Sequence, residues 1–222
     1  MTSATCHDKP ACCGGPAPVF DGTSRAFRGV LWLVVGMNAA MFAVEAVAGQ
    51  LAGSMALQAD ALDFAGDTAT YGLTLLAIGR ALQFRAKAAL FKGVTLAVMG
   101  IYVLGASLWR TFVEGAPEAV TMGVVGAMAL AVNVAAAVML ARWRDGDANV
   151  RSVWLCSRND AIGNVAVLAA AGVVAWTGTK WADLAVATVM AGLFLQSAVL
   201  ITRQASDELR RDGWRAQRPA AQ

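Results

Sequence analysis

From about residue 27 to residue 203 the chain runs in long apolar stretches broken by short polar ones, without the alternation of a half-buried strand. The uncharged runs are Gly93–Trp109, Ala119–Ala141, Ala161–Thr179 and Leu184–Thr202. Each approaches the ~20 residues that a helix needs to cross a bilayer. Continuous apolar runs, as opposed to ten-residue alternating ones, favour spanning helices over a barrel. The pattern predicts six helices at roughly 27–48, 54–80, 88–110, 118–142, 153–176 and 182–203. Between them lie Gly49–Gly53, Glu114–Pro117, Asp145-Gly146-Asp147 and Thr177-Gly178-Thr179, all built from turn-forming residues. The predicted class is an all-α membrane protein with six transmembrane helices.

Composition agrees. Of 222 residues, 58% are hydrophobic and 15% charged, against about 25% charged in an average soluble domain. The one histidine, His7, lies in the polar amino-terminal stretch, which excludes imidazole-based triads and zinc centres from the membrane core. No GxxxxGK[ST] phosphate loop is present, so ATP drive is not expected. The first twenty-odd residues lack an apolar signal-peptide core. Pro10, Pro16, Pro18 and Gly14-Gly15 make them read as a disordered arm.

The net charge of +3 follows topology and gives no footprint for nucleic acid. With both termini cytoplasmic, 15 Lys and Arg fall inside, only Arg110 and Lys180 fall outside, and Arg158 lies within a helix. That is a strong positive-inside bias. Trp109, Trp143, Trp154, Trp176 and Trp181 sit near predicted helix ends, as an interfacial belt requires. The expected organisation is a disordered cytoplasmic Cys-containing tail over 1–25, a six-helix transmembrane domain over 26–204 and a short cytoplasmic tail over 205–222. The lipid partner is the bacterial cytoplasmic (inner) membrane.

Glu45, Asp60, Asp63, Asp67, Arg158 and Asp160 interrupt the apolar segments. An intramembrane charge costs about 2.5–3.5 kcal/mol or more, so it normally faces a cavity or a partner. Five acids against one arginine cannot all be paired within the chain. A cation must come from outside, either a metal or protons.

Spacing sharpens this. Asp63 and Asp67 stand four residues apart, and so do Cys156 and Asp160, so each pair shares one helix face. At 1.5 Å per residue, Asp63 falls ~14 Å from the outer end of the second helix and Asp160 ~12 Å from the inner end of the fifth. The two helices are antiparallel, so Asp63 is expected level with Asp160 and Asp67 level with Cys156. Three carboxylates and a thiol are the number and kind of ligands that a tetrahedral divalent ion takes. The thiolate shifts preference toward softer metals.

These residues resemble the cation diffusion facilitator family. Gly53-Ser-Met-Ala-Leu-Gln-Ala-Asp60-Ala-Leu-Asp63-Phe-Ala-Gly-Asp67 is similar to its second-helix signature, and Cys156-Ser-Arg-Asn-Asp160-Ala-Ile-Gly-Asn-Val to its fifth-helix one. Asn38 and Glu45 match a common first-helix pattern. The resemblance covers roughly 30–203. It implies a homodimeric, proton-coupled exporter of divalent metal that works by alternating access, with Asp63, Asp67, Cys156 and Asp160 as metal ligands. Three departures accompany it. Asp63 stands where zinc-selective relatives often carry histidine, and Cys156 where nearly all members do. About 19 residues follow the sixth helix, too few for the cytoplasmic ferredoxin-like domain of most members, so a short form is expected. No His-rich loop joins the fourth and fifth helices.

The expected function is therefore efflux of a divalent transition metal, Zn²⁺ or Cd²⁺ foremost, by proton antiport. No cofactor and no enzymatic step are expected. Clustered carboxylates bind protons when empty and surrender them to a metal. Asp60, Glu45, Asn164 and Asn38 are accessory candidates. Asn133 and Gln196 are candidates for hydrogen bonds between helices. In the tail, Cys6, His7, Cys12 and Cys13 form a second possible metal site, facing a reducing compartment where disulfides are not expected. The alternative is a membrane-embedded metal-trafficking protein that hands soft metal from this tail to a partner. That reading predicts paired cysteines within a helix, and only Cys156 lies in one.

Overall fold

The computed structural model describes residues 24–77, 82–112, 115–145 and 148–216. All regular structure among them is helical: α1 (Arg25–Ala52), α2 (Met55–Ala77), α3 (Leu82–Phe112), α4 (Ala119–Leu140), α5 (Ala148–Thr177) and α6 (Trp181–Ala216), with a 3₁₀ turn over Ala141–Trp143. Among the described residues, five helices are long and apolar enough to cross a membrane. The sixth, α2, carries Asp60, Asp63 and Asp67 within its 23 residues. The tail residues Cys6, His7, Cys12 and Cys13 lie outside the described residues.

Local chemistry sets the helix ends. Ser24 caps α1, its Oγ accepting the Phe27 N–H at 3.1 Å. Gly53 ends α1 at φ +65°, a left-handed conformation suited to glycine, and the next N–H, that of Ser54, returns to Gly49 O at 3.0 Å. The α6 helix runs on to Ala216, beyond the 182–203 span that hydropathy predicts. The stretch after Thr202 is polar but rich in helix formers, and no proline interrupts it before Pro219. Loss of hydropathy marks the edge of the span without ending the helix.

The helices pack as two units. Helices α1, α2, α4 and α5 form a four-helix bundle, and α3 and α6 form an antiparallel pair laid against α2 and α5. Small residues bring the pair together. A Cβ on Gly100 would lie 2.9 Å from Leu195 Cγ and 3.1 Å from the Ala191 carbonyl oxygen, and one on Gly93 would collide with Thr202 Oγ1. Where lipid removes the hydrophobic drive for association, such close backbone approach supplies it by van der Waals contact.

Two apolar clusters sit at different depths. One includes Met41, Phe64, Ala129 and Val167; the other includes Val34, Tyr71, Ala136 and Val153. On each bundle helix the step from one to the other crosses a polar residue: Asn38 on α1, Asp67 on α2, Asn133 on α4 and Asn164 on α5. The fold thus holds a polar layer between two greasy ones, at the mid-depth that the spacing argument selects.

Candidate metal site

At this layer a cavity of about 350 Å³ opens between the bundle and the α3–α6 pair. Asp60, Asp63 and Asp67 line it from α2, Cys156 and Asp160 from α5, and Lys92 from α3. The four expected ligands therefore share one chamber. Asp67 is buried, while Asp63, Cys156 and Asp160 are half-buried on the cavity wall. The carboxyl group of Asp160 approaches those of both Asp63 and Asp67. Its Oδ2 is buried without a hydrogen-bond partner among the described residues. No three His, Cys, Asp or Glu side chains among those residues are close enough to hold a metal ion as they stand. The expected ligands thus line a chamber and do not form a closed cage.

The accessory candidates divide. Asn164 is fully buried and donates a short hydrogen bond from Nδ2 to Asp60 Oδ2, while its Oδ1 accepts from Asn133 Nδ2 at 2.8 Å. Asp60 in turn adjoins Glu45, which is 0% exposed and whose two oxygens meet no hydrogen-bond donor among the described residues. A polar chain thus runs from α4 through α5 and α2 to α1, with Asp60 at the chamber wall. Asn38 is buried on the Glu45 face of α1 but does not line the chamber. Gln196 is exposed.

Three residues join the picture that the sequence does not single out. Tyr71 is buried one turn beyond Asp67, and its hydroxyl adjoins Asp67 and lies 3.3 Å from Ser157 Oγ. The signal was available, since Asp63, Asp67 and Tyr71 repeat every four residues. Lys92, which the charge count assigns to the inner side, faces the acidic chamber. Asp183 is 1% exposed at the start of α6, away from the chamber. Arg158, in contrast, stays off the site. It lines a separate apolar groove between α4 and α5, its guanidinium 5.4 Å from the Trp154 ring centroid.

Six packed helices, four of which line an acidic chamber, define a multi-pass integral membrane protein whose interior suits a cation. The cation efflux transmembrane domain matches residues 31–210, and the chain belongs to that family, the cation diffusion facilitators. Among its relatives is the metal cation efflux system protein CzcD of Cupriavidus metallidurans, 27% identical over 207 residues, covering 88% of this chain and 61% of that protein. The zinc transporter ZitB of Escherichia coli is 30% identical over 192 residues, covering 78% and 60%. A cadmium, cobalt and zinc/H(+)-K(+) antiporter of Bacillus velezensis is 27% identical over 176 residues, covering 72% and 56%. The chain spans about three fifths of the length of these relatives. Their bacterial origin and the family place it in the inner membrane.

Proposed function

We propose that this protein exports a divalent transition metal, zinc or cadmium foremost, in exchange for protons. The observation that carries the reading is the meeting of Asp63, Asp67, Cys156 and Asp160 on one mid-membrane chamber, from two antiparallel helices. Three oxygens and one sulfur match a tetrahedral divalent ion, and the carboxylates supply the charge that offsets its dehydration. The same oxygens hold protons when the metal leaves, because neighbouring carboxylates cannot all stay ionised in a low-dielectric site. Metal and proton thus compete for one set of atoms, and alternating exposure of that set to the two sides makes the competition an antiport. Lys92 offers the empty chamber a partial counter-charge. No chemical step is required of the chain. The names of the relatives, which include zinc, cadmium and cobalt, support this cargo class. The working unit is a homodimer, with both termini in the cytoplasm and the Cys-containing tail collecting metal there.

The test is reconstitution in liposomes with a panel of Zn²⁺, Cd²⁺, Co²⁺, Fe²⁺ and Mn²⁺. Metal entry should accelerate with a proton gradient of opposite direction and should move protons the other way. Flux that ignores the gradient and moves no protons would remove the antiport.

A further inference from the structure

Above the chamber, the boundary between α2 and α6 is closed by one buried carboxylate. Asp183, in the first turn of α6, accepts three hydrogen bonds from the start of α2: Ser54 Oγ to Oδ1 at 2.6 Å, the Met55 N–H to Oδ2 at 2.8 Å and the Ala56 N–H to Oδ1 at 3.0 Å. Ser54 Oγ also accepts the Leu57 N–H at 3.0 Å. The first three N–H groups of α2, which no helix can satisfy internally, are thereby all paired. Two of them are served from another helix, more than a hundred residues along the chain. The carboxylate stands at two helix N-termini at once, where both dipoles favour its charge.

We infer that Asp183 and Ser54 are the outer gate of the transporter: a latch that holds the N-terminal turn of α2 on α6 and shuts the chamber from the outside. The inference rests on the transport reading above and adds to it the element that alternates. Its support is positional. On α2 the chamber lining begins at Asp60 and on α6 at Met190. Between these and the latch lie Ala56, Leu57, Leu184 and Ala187, all buried, which fill the same boundary with apolar side chains. The other chamber walls, Lys92 and Leu96 on α3 and Cys156 to Asp160 on α5, lie in the inward halves of their helices. The protein is thus latched outside and hollow inside. The latch is suited to reversal, because water entering a parting α2–α6 boundary replaces each of its hydrogen bonds, and the exchange is closely balanced. A cation also marks this end: Arg110 of α3 lies over Gly53, where a Cβ would stand 3.0 Å from its Nη1.

Sidedness of Cys156 tests the latch without any metal flux. In full-length protein carrying Cys6→Ser, Cys12→Ser and Cys13→Ser, Cys156 is the sole thiol. A membrane-impermeant maleimide should label this parent in inside-out vesicles but not in intact spheroplasts. Ser54→Ala and Asp183→Asn should each raise labelling from the outer side about fivefold or more and lower it from the inner side, as expected when one of two states is destabilised. Ser54→Ala removes one hydroxyl and leaves Asp183 its two backbone donors, so it decides the matter if the Asp183 variant does not insert. Labelling of the parent from the outer side or from neither side, or unchanged sidedness in the variants, would overturn the gate. The two readings fail separately. A shift in sidedness without metal flux keeps the gate and removes the cargo, while normal flux with unchanged sidedness keeps the cargo and removes the gate.

Discussion

The two halves of the boundary between the four-helix bundle and the α3–α6 pair are built on opposite principles. In the outer half the buried carboxylate is fully served: Asp183 and Ser54 satisfy one another and the first turn of α2, and buried Ala and Leu pack beside them. In the inner half, acids outnumber their partners, Asp63, Cys156 and Asp160 are only half-buried, and a chamber remains. A buried carboxylate is stabilising where donors surround it and unstable where other carboxylates do. The outer acid therefore acts as glue, while the inner acids suit the cation site proposed above. One residue type does two jobs, and only the neighbours differ.

The largest effect should come from removing the inner acids. Asp63→Ala, Asp67→Ala or Asp160→Ala should each abolish metal flux in liposomes while leaving insertion intact, since each removes one of the three carboxylates of the proposed ligand set from the chamber wall. Near-normal flux in any two of them would mean that the inner half is not a binding chamber. Next comes the wall shared by both halves. Gly100→Val would press a branched side chain into Leu195 and the Ala191 carbonyl, and should lower stability by roughly 1–3 kcal/mol, as overpacking does. Gly105→Ala is the control, because a Cβ there meets nothing within 4 Å. Thermal unfolding in detergent followed by size exclusion should separate the two variants, and equal behaviour would contradict the close α3–α6 packing.

A smaller, selective effect is expected at Cys156. Replacing a soft thiolate by imidazole or hydroxyl should keep transport but change its preference. Cys156→His should raise the Zn²⁺ to Cd²⁺ ratio of initial rates, and Cys156→Ser should slow Cd²⁺ more than Co²⁺. Unchanged ratios in both variants would reduce Cys156 to a small residue beside the site. The smallest effect belongs to Glu118, an exposed acid that caps α4. It accepts the Thr121 N–H at 3.0 Å and the Thr121 hydroxyl, and these bonds hold its carboxyl below the ordinary glutamate range. A lowered folded-state value means that the ionised cap stabilises above the ordinary range, and that this contribution fades as pH falls through the folded value. Glu118→Gln should therefore melt slightly earlier than the parent at neutral pH and identically in strong acid, with metal flux unchanged. Solvent screening keeps the difference small, and a large loss of flux would mean that the α4 cap belongs to the gate.

Much of this was legible in the chain. Length of apolar run decides that a segment crosses a membrane, because an unpaired backbone group cannot face lipid, and all six predicted helices are present. The i, i+4 spacing of Asp63 with Asp67 and of Cys156 with Asp160 gives each pair a common face, since helical geometry depends on sequence distance alone. Antiparallel order then sets their depth, and the shared chamber agrees with it. Less legible was the end of α6. Hydropathy stops at Thr202, but a helix ends only where its backbone geometry fails, and Arg203–Ala216 continues it.

What only the tertiary structure decided is which distant residues meet. The link between Asp183 and Ser54 joins parts of the chain 129 residues apart, and in the sequence Asp183 reads as an ordinary acid near a helix start. Lys92 counted as a loop-side charge until α3 turned it toward the acids. Asn133, Asn164 and Asp60 lie on three helices and become one hydrogen-bonded chain only when those helices pack. Contacts within a helix follow from a rise of about 1.5 Å and a turn of about 3.6 residues, which every sequence shares. Contacts between helices depend on how far small residues such as Gly93 and Gly100 let backbones approach and on how each helix is rotated about its axis. Those quantities are settled by the packing of all six helices together.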